Sequence, residues 1–361
     1  MAQKTFPCKQ CGASLQFQAG TDLLICPYCG TENEIVVDRS IEIEEQDFRE
    51  YLQNAELNAP TVDRIVVKCQ ACGAETTFDE NVVASACAFC GTDIIAQEHS
   101  VKKLKPASLL PFNVDKNKSV SLFKQWLSSR WFMPNKVKKF ARRGRLKGIY
   151  SPYWTYDAST TTHYTGEQGE YYYVTETYVT VEDGKEVTRQ RKVRKTRWYP
   201  VRGTVHNNFD DVVVVGSTNI PKKLSDKLVP WDLQNLVPYT EDYLSGFLVE
   251  SYTVDVKTGF EDAKRKMVPA IQAAIYDDIG GDEQRILSMK TDYADITFKH
   301  LLLPVWIGAY RFGDRVFQYM VNARTGEVQG ERPWSWVKIT FAVLLGLLIG
   351  SGLYLLLQNV Q

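Results

Sequence analysis

The sequence predicts a multidomain protein: two small four-cysteine zinc ribbons, an α+β cytoplasmic domain and one C-terminal transmembrane helix. Three observations support this prediction. All eight cysteines fall in C-x-x-C pairs within the first quarter of the 361 residues, strand-like and helix-like stretches follow, and an apolar run ends the chain. The expected segments are 1–35 (ribbon 1), 36–65 (acidic linker), 66–98 (ribbon 2), 99–333 (α+β domain) and 337–357 (transmembrane tail anchor).

The N-terminal part is an internal duplication. "CKQCGASLQF" at 8–17 returns as "CQACGAETTF" at 69–78, and the same offset (8 to 69, or 61 positions) relates the later cysteines. Each copy has the spacing C-x2-C-x14-C-x2-C, just short of the usual zinc-ribbon spacing. The predicted metal ligands are Cys8, Cys11, Cys26, Cys29, Cys69, Cys72, Cys87 and Cys90.

The ligand chemistry favours structural zinc. Two thiolates separated by two residues bind one ion from a single tight turn, and a glycine after the pair relaxes that turn. Gly12, Gly30, Gly73 and Gly91 occupy this place. Four thiolates complete a tetrahedral shell, so we expect two structural Zn²⁺ ions per chain. Redox pairs, disulfides, iron and an interleaved ligand pairing are the alternatives, but the absence of cysteine elsewhere favours a reducing compartment over a disulfide framework.

Two charged regions follow the first ribbon. The acidic linker contains a short helix pattern in "RSIEIEEQDFREYLQNAE", whereas the basic segment 101–150 has fourteen Lys or Arg against Asp115 alone. A second basic run, "RQRKVRKTRW" at 189–198, belongs to a strand-like region. These charges could form a solvated face or a partner for the acidic linker, contact anionic lipid, or bind nucleic acid phosphates. A membrane anchor favours lipid over nucleic acid.

The body reads as α+β. Residues 169–195 predict a hairpin that turns at Asp183-Gly184, and "TGFEDAKRKMVPAIQAAIYDDI" is a helix pattern containing Pro269. Residues 295–328 predict two or three strands that turn at Gly313-Asp314 and at "NARTG".

The tail predicts a membrane anchor, with a buried core helix as the alternative. From Ile339 to Leu357 no residue is charged, which as a helix spans roughly 28 Å, close to the apolar thickness of a bilayer. Basic residues precede this run and none follows it, so the bulk of the chain is expected in the cytoplasm. Gly346 and Gly350 form a GxxxG motif that would permit a homo-oligomer.

No enzyme signature is recognisable, so we expect no catalytic activity. The sequence has no G-x-x-x-x-G-K-[ST], H-E-x-x-H or G-x-S-x-G motif. The acidic residues around "IGG" at 279–281 fit a solvated loop, and the histidines show no metal-ligand spacing. They are His99, His163, His206 and His300.

The two cysteine units, "GIYSPYWTYDA" at 148–158, "LPVWIGAYRF" at 303–312 and "YMVNARTGEVQGERPWS" at 319–335 carry a resemblance. The chain resembles a family of bacterial membrane-anchored proteins with TFIIB-like zinc ribbons, sometimes labelled primosomal or helicase-like. The resemblance implies a single-pass inner-membrane protein that recruits envelope-stress partners, namely PspA-like (phage-shock protein A) and flotillin-like SPFH proteins. Only the eight cysteines carry over as functional residues.

The sequence therefore predicts a tail-anchored scaffold, or adaptor, whose ribbons and cytoplasmic domain bind protein partners. The alternative is a membrane-tethered nucleic-acid-binding protein that uses 101–150. Because Lys9 is the one basic residue within the first ribbon's cysteine frame and the second has none, protein docking is the better expectation for the ribbons.

Overall fold

The computed structural model describes residues 6–37, 43–58, 61–72, 74–77, 84–95, 99–137, 146–182, 185–313 and 315–358. Several sequence predictions fall outside these ranges: Gly73, Phe78, the Asp183-Gly184 turn, Asp314 and most of the basic run at 136–148.

Short antiparallel strands build the two ribbons. Ribbon 1 is a three-stranded sheet of β1 (Gln16–Phe17), β2 (Leu23–Ile25) and β3 (Glu32–Glu34). In ribbon 2, β5 (Thr61–Lys68) pairs with β6 (Glu75–Thr77) and β9 (His99–Leu104). The strands β7 (Ala84–Ala86) and β8 (Asp93–Ile95) pair separately. Both predicted ribbons are therefore present as strand-built units.

A nine-stranded sheet forms the body. Its three longest strands lie side by side in the order β12 (Lys185–Val215), β11 (Lys147–Glu182) and β15 (Glu283–Phe312), all antiparallel to their neighbours. The shorter strands of the sheet are β4 (Gln46–Asp47), β10 (Ser108–Leu109), β13 (Val237–Pro238), β14 (Leu248–Val249), β16 (Arg315–Asn322) and β17 (Val328–Gly330). The predicted hairpin at 169–195 and the predicted strand turn near Gly313 within 295–328 are confirmed by the pairs Glu182↔Lys185 and Phe312↔Arg315.

Local chemistry permits such long strands. Tyr, Thr and Val dominate them, and these residues suit a pleated surface. Pro200, which cannot donate to a ladder, lies in β12, the strand at the edge of the sheet. A bulge beside Asp157 shifts the register on both sides of β11, and Asp211 opposite adopts φ 52°.

The described residues form five helices, of which the first four contact strands of the sheet. They are α1 (Phe48–Asn58), α2 (Lys116–Ser129), α3 (Lys222–Ser225), α4 (Val256–Ile279) and α5 (Trp336–Gln358), with 3₁₀ turns at Leu233–Asn235 and Glu241–Leu244. The longest helix packed on the sheet, α4, begins at Asp255, whose side chain accepts the N–H of Thr258 at 2.8 Å, and ends before Gly280 at φ 63°. Its buried stripe runs through Phe260, Met267 and Ile275.

Three apolar clusters form the core. One joins ribbon 1 and α2 to the sheet, a second joins ribbon 2 and residues 220–236 to the sheet, and the third lies between α1, α4 and the long strands. Both ribbons therefore share a hydrophobic core with the body.

The predicted fold class is wrong in two respects. The body is mainly β-sheet rather than a balanced α+β domain, because stretches expected to be several short strands continue as single long ones. Within the described residues, no helix combines the length and the apolar character needed to cross a bilayer.

This finding also corrects the predicted location. The transmembrane tail anchor at 337–357 is wrong, and so is the single-pass placement in the bacterial inner membrane with the bulk in the cytoplasm, because both depended on that helix.

Candidate metal centres

Ribbon 1 brings its four predicted ligands together. The Sγ atoms of Cys8 and Cys29 lie 3.5 Å apart and those of Cys11 and Cys26 lie 3.4 Å apart. All four lie within 4.8 Å of one another and none forms a disulfide. The spacing of the cysteines thus correctly predicts which side chains meet.

Ribbon 2 repeats this arrangement. The Sγ atoms of Cys69 and Cys90, and those of Cys72 and Cys87, are each 3.7 Å apart. In both ribbons the first and third cysteines are buried and the second is exposed. The four-cysteine sets do not mix, so the interleaved pairing is not observed.

The turns explain how the thiols converge. After each of three C-x-x-C pairs the glycine N–H donates to the carbonyl of the first cysteine, as in Gly12 to Cys8 at 2.9 Å. These glycines have φ between 73° and 75°, which side chains other than glycine rarely adopt. They are Gly12, Gly30 and Gly91.

The geometry fits zinc. A tetrahedral ion with Zn–S bonds of about 2.3 Å places its sulfurs about 3.8 Å apart, close to the 3.4–3.7 Å observed here. The four thiolates of each ribbon would hold one ion, which supplies a structural cross-link between the two turns. Since four protein ligands fill a tetrahedral shell, such a site has no position for a substrate.

The thiols within each ribbon titrate differently from one another. Backbone N–H groups, first that of Gln10, lower the pKa of Cys8 to about 6, and the Gln10 nitrogen lies 3.4 Å from its sulfur. Burial raises the pKa of Cys87 to about 11, although the N–H of Phe89 points at its sulfur. Each ribbon also contains a thiol shifted in the opposite direction. In ribbon 1, although the N–H of Ala13 opposes it, the neighbouring thiols raise the pKa of Cys11 to about 12. In ribbon 2, against the effect of burial, hydrogen bonding to Thr92 lowers the pKa of Cys90 to about 7.

No model of a known protein family matches the chain. The chain is similar to "Uncharacterized protein YdjG" of Bacillus subtilis (strain 168), with 23% identity over 347 residues that cover 93% of this chain and 92% of the relative. The two four-cysteine clusters fit zinc ribbons, and the likeness to YdjG extends over the ribbons and the body alike.

The ribbons differ in how they contact the body. In ribbon 2, Phe89 lies between the last two cysteines, is buried, and its carbonyl accepts the side-chain amide of Gln318 at 2.7 Å. The equivalent residue of ribbon 1, Tyr28, is 84% exposed. Ribbon 1 packs instead through Phe17, whose ring lies 4.9 Å from that of Tyr243.

Several of the other polar groups considered in the sequence have packing or hydrogen-bond contacts that do not bind a metal. His300 is buried in an aromatic cage, 4.4 Å from the ring of Trp154, and burial lowers its pKa to about 3. His163 and His206 contact threonine hydroxyls on the sheet surface, and the side chain of His99 is outside the described set. Asp278 accepts the hydroxyl of Tyr164 at 2.6 Å.

Two acidic sites have no recognisable sequence signal. Asp157, Asp210 and Asp211 converge at the bulge, where Lys299 forms an ion pair with Asp211 at 2.7 Å. Glu250, only 2% exposed, accepts hydrogen bonds from Ser217, Asn219 and Ser151, and it forms a β-bridge with Thr76 of ribbon 2. These groups meet only through the fold, because they come from distant parts of the chain.

Proposed function

We propose that the protein is a non-catalytic scaffold whose zinc ribbons bind protein partners, with zinc serving only to shape the ribbons. One observation supports this most: the aromatic residue between the last two cysteines is buried against the body in one ribbon and exposed to solvent in the other. Phe89 of ribbon 2 docks into the body, whereas Tyr28 of ribbon 1 extends into solvent. An exposed aromatic on a rigid metal-held turn is the kind of residue that anchors a protein interface.

The surroundings of Tyr28 support protein docking over phosphate binding. Val36, at the end of ribbon 1, is 91% exposed, and Lys9 is the one basic residue within the cysteine frame. The apolar side chains of α5 add exposed apolar surface, among them Phe341, Leu347 and Leu348. Exposed apolar surface of this kind marks interaction sites.

PspA-like and SPFH proteins are the first partners to test. Each would be purified from the same genome as this chain and titrated with the zinc-loaded full chain in the presence of nuclease. We expect binding of at least one, and a loss of roughly tenfold or more in affinity with Tyr28→Ser. Tyr276→Ser is the matched control, because Tyr276 is an exposed tyrosine on α4. Absence of binding, or equal losses with both variants, would contradict the proposal.

A further inference from the structure

The hairpin of β11 and β12 continues beyond the body as a two-stranded arm, defined here as residues 170–182 and 185–197. The last pair that links the third strand, β15, to β11 is Gly169↔Glu283, whereas the β11–β12 ladder continues to Glu182↔Lys185. At about 3.3 Å per residue the arm is roughly 40 Å long. Within the described residues its two outer edges pair with no other strand.

Positive charge is concentrated on one strand of this arm. Between 189 and 197 the sequence has six basic residues and no acidic one. They are Arg189, Arg191, Lys192, Arg194, Lys195 and Arg197. Glu176 on the facing strand forms ion pairs with two of them, Arg191 at 3.5 Å and Lys195 at 3.0 Å. The arm as a whole contains seven basic residues and four acidic ones, so its net charge is +3.

The basic residues point to both faces of the arm. Directly paired residues share a face, so the pairs Tyr178↔Arg189 and Tyr172↔Lys195 lie on one side. The pairs Thr175↔Lys192 and Tyr173↔Arg194 lie on the other. A molecule that binds these charges must therefore reach both sides of the ribbon.

Tyrosine rings hold the guanidinium groups along the arm. Arg194 lies over the ring of Tyr171 at 4.1 Å on one face, and Arg197 lies over the ring of Tyr172 at 5.0 Å on the other. Such stacking restrains the long arginine side chains, and a guanidinium that stacks through its face keeps its N–H donors around its edge. The arm thus presents restrained donors suited to phosphate oxygens.

The presence of basic residues on both faces of the arm favours some binding partners over others. Another copy pairing along the β12 edge would bring like charges opposite one another, and a bilayer presents phosphates on one side only. The major groove of duplex DNA, about 12 Å wide, admits a two-stranded β-ribbon and has phosphates along both walls. We propose that the arm binds double-stranded DNA by lying in its major groove, with the arginines and lysines contacting both walls.

The test uses the full chain and a fluorescent 25-base-pair duplex of mixed sequence, titrated at several salt concentrations. The arm variant carries Arg189→Gln, Lys192→Gln, Arg194→Gln and Arg197→Gln, which spares the ion pairs of Glu176. We expect roughly tenfold or more weaker binding and a salt slope reduced by about 3.6, or about 0.9 for each lost contact. The matched control neutralises four exposed lysines of the basic segment, Lys116, Lys118, Lys124 and Lys136. It should bind as the wild type does.

Additional measurements distinguish duplex DNA from the other possible ligands. Each two-residue variant, Arg189 with Arg197 or Lys192 with Arg194, should weaken binding, because each removes contacts to one wall. An effect of only one pair would overturn the groove geometry. Equal binding of duplex RNA, whose major groove is deep and narrow, would also overturn it. The whole proposal would be overturned if the chain did not bind the duplex. It would also be overturned if the four arm residues mattered only for binding to vesicles with anionic lipid or to polyglutamate. An unchanged unfolding midpoint verifies that each variant is folded.

Discussion

Individual cysteines set the metal content of the protein. Cys26 is buried and its sulfur lies 3.4 Å from that of Cys11, so a hydroxyl in its place removes a ligand that no neighbour can supply. We expect Cys26→Ser to lower bound zinc from about two ions per chain to about one, measured by elemental analysis under reducing conditions. Thr31→Val is the control, because it removes a contact to Cys29 but keeps all four thiols. Two ions in both variants would refute the assignment.

A single buried carboxyl gives the folded state a distinct pH dependence. Burial raises the pKa of Glu250 from 4.5 to about 7, although Ser217, Asn219 and Ser151 donate to it. The folded chain therefore retains a proton that the unfolded chain releases, so this group's contribution falls as pH rises from about 4.5 to about 7. The loss amounts to about 3 kcal/mol.

Glu250→Gln isolates this effect. An amide can accept from Ser217 and Asn219 through its oxygen and donate to Ser151, so it mimics the protonated acid. We expect the variant to match the wild type at pH 5 and to exceed its free energy of unfolding at pH 8, measured with urea. Glu170→Gln, at an exposed site, should change neither value. Identical pH profiles for wild type and Glu250→Gln would show that Glu250 ionises normally.

For individual residues, the sequence predicts which side chains meet only where they recur at a regular spacing. The cysteines repeat at a fixed spacing, so their grouping follows from the chain alone. Glu250, Thr76 and Ser151 come from three strands and have no common spacing, so only the fold brings them together. Likewise, no local pattern distinguishes Tyr28 from Phe89, since burial of the latter depends on the body surface that it meets.

Among the elements, the long strands were the least predictable feature and the hairpin partners the most. Alternating Tyr, Thr and Val identified the β11–β12 hairpin, but Gly166, Gly169 and Pro200 look like strand ends in sequence. In the structure Gly166 lies under α4, and Pro200 occupies an edge strand that needs no donor. The tail shows the opposite error, because its charge-free composition predicted a membrane-spanning helix and none is found among the described residues.

The contact between α4 and the sheet depends on glycine. A Cβ on Gly166 would lie 2.5 Å from the carbonyl oxygen of Arg285 and 2.9 Å from Ile279, the last residue of α4. We expect Gly166→Ala to destabilise the protein by about 1–3 kcal/mol in chemical denaturation, because backbone must move. Gly346→Ala has nothing within 4 Å and lies in helix α5, so it should be neutral or slightly stabilising. Equal effects would contradict this packing.

In the molecule as a whole, the ribbons share the hydrophobic core of the body and are not separate domains joined by a linker. Cys8 and Phe17 belong to the same apolar cluster as Phe112 and Tyr243, and Cys87 and Phe89 to the same cluster as Tyr153. Backbone hydrogen bonds also join ribbon 1 to the body: the N–H of Phe17 donates to the carbonyl of Ser245 at 3.0 Å, and the N–H of Gly20 donates to that of Phe112 at 2.8 Å. Disorder in a ribbon would therefore uncover part of the body's core.

Because the core is shared, we expect zinc removal to reduce the stability of the body as well as that of the ribbons. Without the ion the four cysteines lose their cross-link, and a binding free energy that reaches 10 kcal/mol or more in small zinc modules no longer favours the folded ribbon. We expect a chelator to lower the free energy of unfolding of the full chain by several kcal/mol and to reduce near-ultraviolet circular dichroism from body aromatics such as Tyr153 and Tyr243. Cys26→Ser should cause about half of this change, because ribbon 2 keeps its site. A body transition at the same midpoint with and without chelator would mean that the ribbons fold independently, despite the contacts of Phe17 and Phe89.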